Sequence, residues 1–264
     1  MTREEVYFDA RAAYEQRVKL ARTDLATFVE LCAKDAMGNP VVLAPIHRAW
    51  IWHIDYCWSR GKHALILAPF GSGKSALAVP LACFLVGQDV QERLKFVSNA
   101  DDFAKQRVQA CKLILESREY RDVFPHVKRG VQWSDSRLFV KRVGNALDPT
   151  IHARGVMTKG VGGRADHIIF DDVCDQLNTE SQALRGRVKA FARGTWMSRL
   201  EKPKGLALMI ATAWHPDDAT MDFMQDPLWC TLVQAVEMPD MLTYEQHVYN
   251  AGSDYLEGRD VIRG

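Results

Sequence analysis

His63-Ala-Leu-Ile-Leu-Ala-Pro-Phe-Gly-Ser-Gly-Lys-Ser75 is the stretch on which the fold turns. Its first six residues form a short continuous apolar run, the pattern of a strand buried on both faces. A glycine-rich turn follows, and an apolar helix begins near Lys74. Gly71 and Gly73 let the backbone fold so that successive amides, that of Ser72 among them, point inward around phosphate oxygens. In such a loop Lys74 reaches the β- and γ-phosphates of a nucleoside triphosphate, and the Ser75 hydroxyl ligates magnesium. The usual spacing, G-x4-G-K-[ST], puts its first glycine where this chain has Ala68. The strand running in and the helix running out restore the reading. Pro80, six residues into that helix, removes a backbone donor and is expected to kink it.

Outward from this unit, apolar runs alternate with helical periodicity. Upstream, helices are predicted over Tyr14–Leu31 and Ile46–Trp58, on either side of a turn at Gly38-Asn-Pro40. Downstream, Leu94–Ser98 reads as a strand and Asp101–Ser117 as an amphipathic helix, with Asn99 or Asp101 available as its cap. Val131–Trp133 and Arg137–Val143 suggest a hairpin. His167–Phe170 is another buried strand, a basic helix runs from about Glu180 to Leu200, and Gly205–Thr212 and Cys230–Glu237 are further strands. Strands alternating with helices predict an α/β fold, and with the glycine-rich loop the expected class is a P-loop NTPase (ASCE/RecA-like). A mostly parallel central sheet is flanked by helices, with ligand chemistry at the carboxyl ends of its strands. The expected organisation is an N-terminal helical segment over 1–60, the core over 61–240, and a polar linker or partial lid over 241–264.

Composition bounds the alternatives. A content of 47% hydrophobic and 25% charged residues is that of an ordinary globular chain. The net charge of +1 argues against a protein that coats polyanions over its whole surface. Six cysteines are scattered without a Cys-x-x-Cys pair, so they read as reduced, buried thiols and not as a metal site. The charged N-terminus lacks the apolar core of a signal peptide, and the longest apolar stretch, Ala76 to Val86, is about half of what spans a bilayer. A soluble, intracellular protein is expected.

Two segments complement the loop. Ile168-Ile169-Phe170-Asp171-Asp172 is an apolar strand ending in paired carboxylates, which places Asp171 to hold magnesium and Asp172 to orient an attacking water. Apolar strands ending in Asp-Asp are common, so the motif gains weight from its position about a hundred residues after the loop. Thr212 again follows an apolar strand, where it could sense the γ-phosphate and couple hydrolysis to movement. Asp217 or Asp218 beyond it has a plainer reading as a helix cap.

Together these segments resemble the large terminase subunit of tailed bacteriophages, the motor that pumps DNA into procapsids. The likeness runs from about residue 24. It is strongest in Gly162-Gly-Arg-Ala-Asp-His-Ile-Ile-Phe-Asp-Asp172 and Thr212-Ala-Trp-His-Pro-Asp-Asp218, with support from Phe96–Pro125. Leu43-Ala-Pro-Ile-His-Arg-Ala-Trp50, with His47, looks like the family's adenine-side motif. The resemblance implies ATP and Mg2+ as ligands, with phosphate and metal contacts from Gly71, Ser72, Gly73, Lys74, Ser75 and Asp171. It gives Asp172 the water-orienting role and Thr212 the coupling role. It also implies a homo-oligomeric ring, a pentamer on the procapsid and a monomer when isolated, in which an arginine of one subunit reaches the neighbour's γ-phosphate. Arg164 is the first candidate for that finger and Arg154 the second; a salt bridge with Asp166 is the plain alternative for Arg164. Implied partners are double-stranded DNA, the portal protein and the small terminase subunit, and the implied place is the host cytoplasm and, transiently, the portal vertex.

Departures stand beside the likeness. Many relatives carry arginines where this chain has Phe70 and Ala213. Relatives also continue into an RNase H-like nuclease domain; the sequence ends at Gly264, and no nuclease activity is expected of it. Arg185, Arg187, Lys189 and Arg193, with Arg199, Lys202 and Lys204, concentrate positive charge where acids are scarce. They are candidate DNA contacts, against the simpler reading of a solvated face. Arg137, Lys141 and Arg142 form a second basic patch. Other readings are a helicase- or recombinase-like nucleic-acid-dependent ATPase, a small-molecule kinase, and a non-catalytic nucleotide switch.

Overall fold

The computed structural model of the chain describes residues 3–144, 147–158, 162–201, 205–236, 244–250 and 262–263. Two helices open it, α1 (Arg3–Ala21) and α2 (Leu25–Cys32). They replace the single helix expected there, because Asp24 accepts the Thr27 amide at 2.7 Å and starts a second helix. Helix α3 (Pro45–Ser59) leads to β1 (His63–Leu67), and the glycine-rich loop leads to α4 (Lys74–Gln88), which runs on through Pro80.

Next come β2 (Leu94–Ser98), α5 (Asp101–Glu116), α6 (Arg118–Val123), and an antiparallel pair, β3 (Arg129–Trp133) and β4 (Arg137–Val140), which is the expected hairpin. Neither Asn99 nor Asp101 caps α5. Ala100 occupies the cap position, and Asp101 instead accepts the Gly155 amide at 2.7 Å and the Thr158 hydroxyl at 3.0 Å.

Strand β5 (Ile151–Gly155) was not anticipated, since His152 and Arg154 interrupt its apolar pattern; it pairs with β2 in parallel and with β4 antiparallel. Strand β6 (His167–Asp171) follows, then α7 (Gln176–Thr179) and α8 (Gln182–Ala190). The single basic helix expected over 180–200 is broken: after α8 the chain widens into a π-helical turn, Phe191–Trp196, and ends in a 3-10 turn, Met197–Arg199. Strand β7 (Leu206–Ala211), α9 (Ala219–Met224), β8 (Trp229–Val236), β9 (Tyr244–Asn250) and β10 (Ile262–Arg263) complete the order.

One sheet contains all the described strands, in the order β10-β9-β8-β1-β7-β6-β2-β5-β4-β3. Its centre, β8-β1-β7-β6-β2-β5, is parallel throughout. Successive residues of the central strands feed two cores. Ala64, Ile66, Ile169, Leu208 and Ile210 face the helices α2 to α6, while Leu65, Ile168, Phe170, Ala207 and Met209 face Val188, Trp196 and Phe223. Two buried faces explain why these strands read as unbroken apolar runs. All six cysteines are free and buried. Among the described residues no helix is long and apolar enough to cross a membrane.

An aromatic group, Phe28, Phe84, Tyr120 and Phe124, pins α2 and α6 against α4. It leaves no room at Gly87, where an added Cβ would lie 2.2 Å from the Phe124 ring. Gly87→Ala is therefore expected to destabilise the chain by about 1–2 kcal/mol, overpacking outweighing the gain in helix propensity. Denaturant unfolding checks this; an unchanged or raised midpoint would show that the ring yields freely.

Candidate nucleotide-binding and catalytic site

The carboxyl ends of β1, β7 and β6 lie side by side, so the segments that follow them meet at one edge of the sheet. After β1 the chain turns through Gly71 (φ 77) and Gly73 (φ 83), left-handed conformations that favour glycine. Ser72 between them donates its hydroxyl to the Pro69 carbonyl at 2.7 Å. His47 braces the loop from α3. Its Nδ1 accepts the Ala44 amide, so Nε2 carries the proton and donates to the Ser72 carbonyl at 2.9 Å. A Cβ at Gly73 would lie 2.9 Å from that Nε2. His47 thus contacts the loop's backbone, beside the phosphate cradle the sequence predicted.

Lys74 is 5% exposed, and its ammonium donates to Ala68 O (3.0 Å), Pro69 O (2.8 Å) and Thr212 Oγ1 (3.0 Å). Burial lowers its pKa, against the pull of Asp172 and Asp171 in the other direction. Thr212 in turn donates its amide to Asp172 Oδ1 at 2.8 Å. Lys74, Thr212 and Asp172 therefore form one chain of contacts across the ends of β1, β7 and β6. Burial raises the Asp172 pKa; Lys74 lowers it and Asp171 raises it further. Asp172 is also the only non-glycine at positive φ (45) among the described residues. Such a conformation costs free energy and persists where its surroundings impose it, commonly at functional sites.

Ser75 donates its hydroxyl to Asp171 Oδ1 at 2.9 Å, joining the start of α4 to the end of β6. Asp171 has a fully buried side chain, and its second oxygen is held by Arg107 Nε from α5. The sequence reading missed Arg107, which lies on the polar side of an ordinary amphipathic helix and belongs to no motif. The fit of a divalent cation rests on donor chemistry. A serine hydroxyl and one carboxylate are hard oxygen donors of the kind Mg2+ takes together with substrate phosphates. Among the described residues no group of three or more His, Cys, Asp or Glu could hold a metal without such help. The pair Ser75 and Asp171 fits magnesium delivered with a nucleotide.

The arginine candidates lie elsewhere. Arg164 precedes β6, so it sits at the amino end of the strand whose carboxyl end carries Asp171. It is exposed, and its amide donates to Asp148 at 3.1 Å. The salt bridge considered for it with Asp166 is not formed: Arg93 holds that carboxylate with Nε and Nη2, each at 2.8 Å. Arg154, on β5 beside Val97 of β2, is half-buried.

The basic cluster is largely neutralised from outside its own segment. Arg185 and Lys189 share Asp217, and Arg193 bonds Asp222 and Asp226 while lying 4.5 Å over the Phe223 ring. Acids are scarce within 180–201 because their partners come from the segment that packs against it. Arg187 is exposed. In the second patch, Arg142 is tied to Thr150 and Lys141 is exposed, while Lys202 and Lys204 fall outside the described residues. Asp218 is the cap of α9, accepting the Met221 amide at 3.0 Å.

No family model matches the chain, and no curated protein matches its sequence. Among solved structures it is similar to the large terminase of bacteriophage HK97, at 14% identity over 81% of this chain and 41% of that one, with a TM-score of 0.54. A mutant large-terminase ATPase domain of Thermus phage P74-26 aligns over 62% of this chain and 64% of that one, at 18% identity and a TM-score of 0.39. Dbp5 of S. cerevisiae, bound to Nup159, Gle1 and ADP, aligns over 74% and 53%, at 13% identity and a TM-score of 0.41. The chain spans about two fifths of the length of the HK97 protein. Its fold is similar to that of the HK97 large terminase, an α/β fold with a largely parallel sheet flanked by helices.

Proposed function

We propose that this chain is the ATPase motor of a phage terminase large subunit, using ATP and Mg2+ to move double-stranded DNA into a procapsid. The observation that carries the proposal is the joined constellation Lys74–Thr212–Asp172 and Ser75–Asp171 beneath a left-handed Gly71–Gly73 loop. Substrate binding would draw Lys74 from the Ala68 and Pro69 carbonyls onto phosphate oxygens, with the loop amides of Gly71 to Ser75 beside it. Mg2+, when bound by Ser75 and Asp171, supplies positive charge at the phosphates. Asp172 would take the proton of the attacking water, a task its raised pKa suits. Because Thr212 bonds both Lys74 and Asp172, a change of partner at Lys74 bears on the end of β7, which is a route from chemistry to movement.

Arg164 is exposed and lies at the opposite end of the sheet from its own site, which supports a role toward a neighbouring copy. Arg164 is therefore preferred to the half-buried Arg154. For the phosphate backbone, Arg187 and Lys141 are the exposed cations of the two patches among the described residues, and Arg185, Lys189 and Arg193 would have to leave Asp217, Asp222 and Asp226 to contribute. The wider setting proposed is a homo-oligomeric ring on the portal protein, with the small terminase subunit as partner, in the host cytoplasm.

The test is displacement of a triplex-forming strand from duplex DNA. A double-strand translocase displaces it with ATP while leaving the duplex paired. ATP-dependent separation of the duplex would favour a helicase instead, and no displacement under conditions of active hydrolysis would overturn the motor.

A further inference from the structure

The Asp171 carboxylate has both oxygens occupied within the chain, Oδ1 by the Ser75 hydroxyl and Oδ2 by Arg107 Nε, and the side chain is fully buried. A buried anion without a cation is strongly disfavoured, so the guanidinium supplies the positive charge that the carboxylate requires. A divalent cation held by Ser75 and Asp171 would bring a second positive charge to that same buried carboxylate. Two cations cannot share it at contact distance without repulsion. Arg107 also has somewhere to go: its side chain is 27% exposed and lines a cavity of about 330 Å³, together with Ser75, Ala76 and Val79 of α4 and Ala110 of α5.

We propose that Arg107 is a displaceable counter-cation that holds the metal-binding carboxylate until a divalent cation arriving with the nucleotide expels it. The inference rests on the nucleotide-site reading given above and assigns Arg107 a positioning role, acting through Asp171. Its consequence is a built-in threshold. A guanidinium that holds the carboxylate about nine-tenths of the time lowers the apparent metal affinity about tenfold. Metal alone, without the phosphates that complete its shell, would displace the arginine poorly, so the site engages when both components are present.

The experiment is a titration of MgCl2 against the full chain with a fluorescent ATP analogue, following binding and not turnover. Unmodified protein, Arg107→Ala and Arg107→Lys are compared. Arg107→Ala is expected to need about tenfold less Mg2+ for half-maximal binding, as the competing cation is gone. Arg107→Lys, which keeps a cation and serves if the alanine variant folds poorly, is expected to lie between the two. Without metal, Arg107→Ala is expected to melt below the unmodified chain, and MgCl2 is expected to narrow that gap. A purely structural role would lower the melting temperature without moving the Mg2+ midpoint. An unmoved midpoint, or one moved to higher Mg2+, overturns the proposal while leaving the nucleotide site intact. Absence of Mg2+-dependent binding in the unmodified chain would overturn the nucleotide site itself, and this inference with it.

Discussion

Replacing Lys74 by alanine is expected to lower ATP turnover by at least about 10²–10³-fold, the loss seen when one preorganised donor to developing charge is removed. The expectation follows from its position. Lys74 is almost fully buried, carries three hydrogen bonds at the ends of β1 and β7, and faces both Asp171 and Asp172. No other cation lies on the loop. Phe70 and Ala213, beside the loop and Thr212, supply none. The fold should survive. Its two cores are built from apolar residues of the strands and helices, and the ammonium's partners are a threonine hydroxyl and two loop carbonyls at the rim. Steady-state phosphate release, with circular dichroism as the control for folding, checks this. Turnover within a few fold of the unmodified chain would place the chemistry elsewhere.

Asp172→Asn is expected to reduce kcat by about 10²–10³-fold while leaving nucleotide binding within a few fold, since general-base assistance contributes about 10²–10⁴-fold. Asparagine can keep the Oδ1 contact with the Thr212 amide and fits the same backbone turn, because asparagine tolerates positive φ better than most residues. What it lacks is the negative charge and the proton affinity that burial gives Asp172. Rates and nucleotide affinity measured separately distinguish the outcomes. A parallel loss of binding would make Asp172 chiefly the electrostatic partner of Lys74. An unchanged kcat would remove it from the chemistry.

Much of this site was legible because it is local. The strand–loop–helix unit at 63–88 and the strand ending in Asp171-Asp172 each carry their meaning in a few adjacent residues, and apolar runs mark strands with two buried faces. Strand β5 escaped because His152 and Arg154 give it the look of a loop, although His152 is buried against β2 and β4. The basic stretch reads as one helix because charge runs say nothing of a π-helical turn, and its neutralising acids lie some thirty residues downstream. Arg107 and the Arg93–Asp166 pair escaped for the same reason: each joins residues more than sixty positions apart, a relation that only the folded sheet creates. Ser75 and Asp171, nearly a hundred residues apart, can be paired from sequence only because each belongs to a recognisable motif.

In the proposed site one nucleoside triphosphate, with Mg2+, is held by Lys74, Ser75 and Asp171. Isothermal titration of ATP into the chain with MgCl2 present measures this, with Lys74→Ala and Ser75→Ala titrated alongside. One site per chain is expected, lost or greatly weakened in Lys74→Ala and weakened in Ser75→Ala chiefly when Mg2+ is present. Binding of equal strength in all three proteins, or none in the unmodified chain, would remove these residues from nucleotide binding.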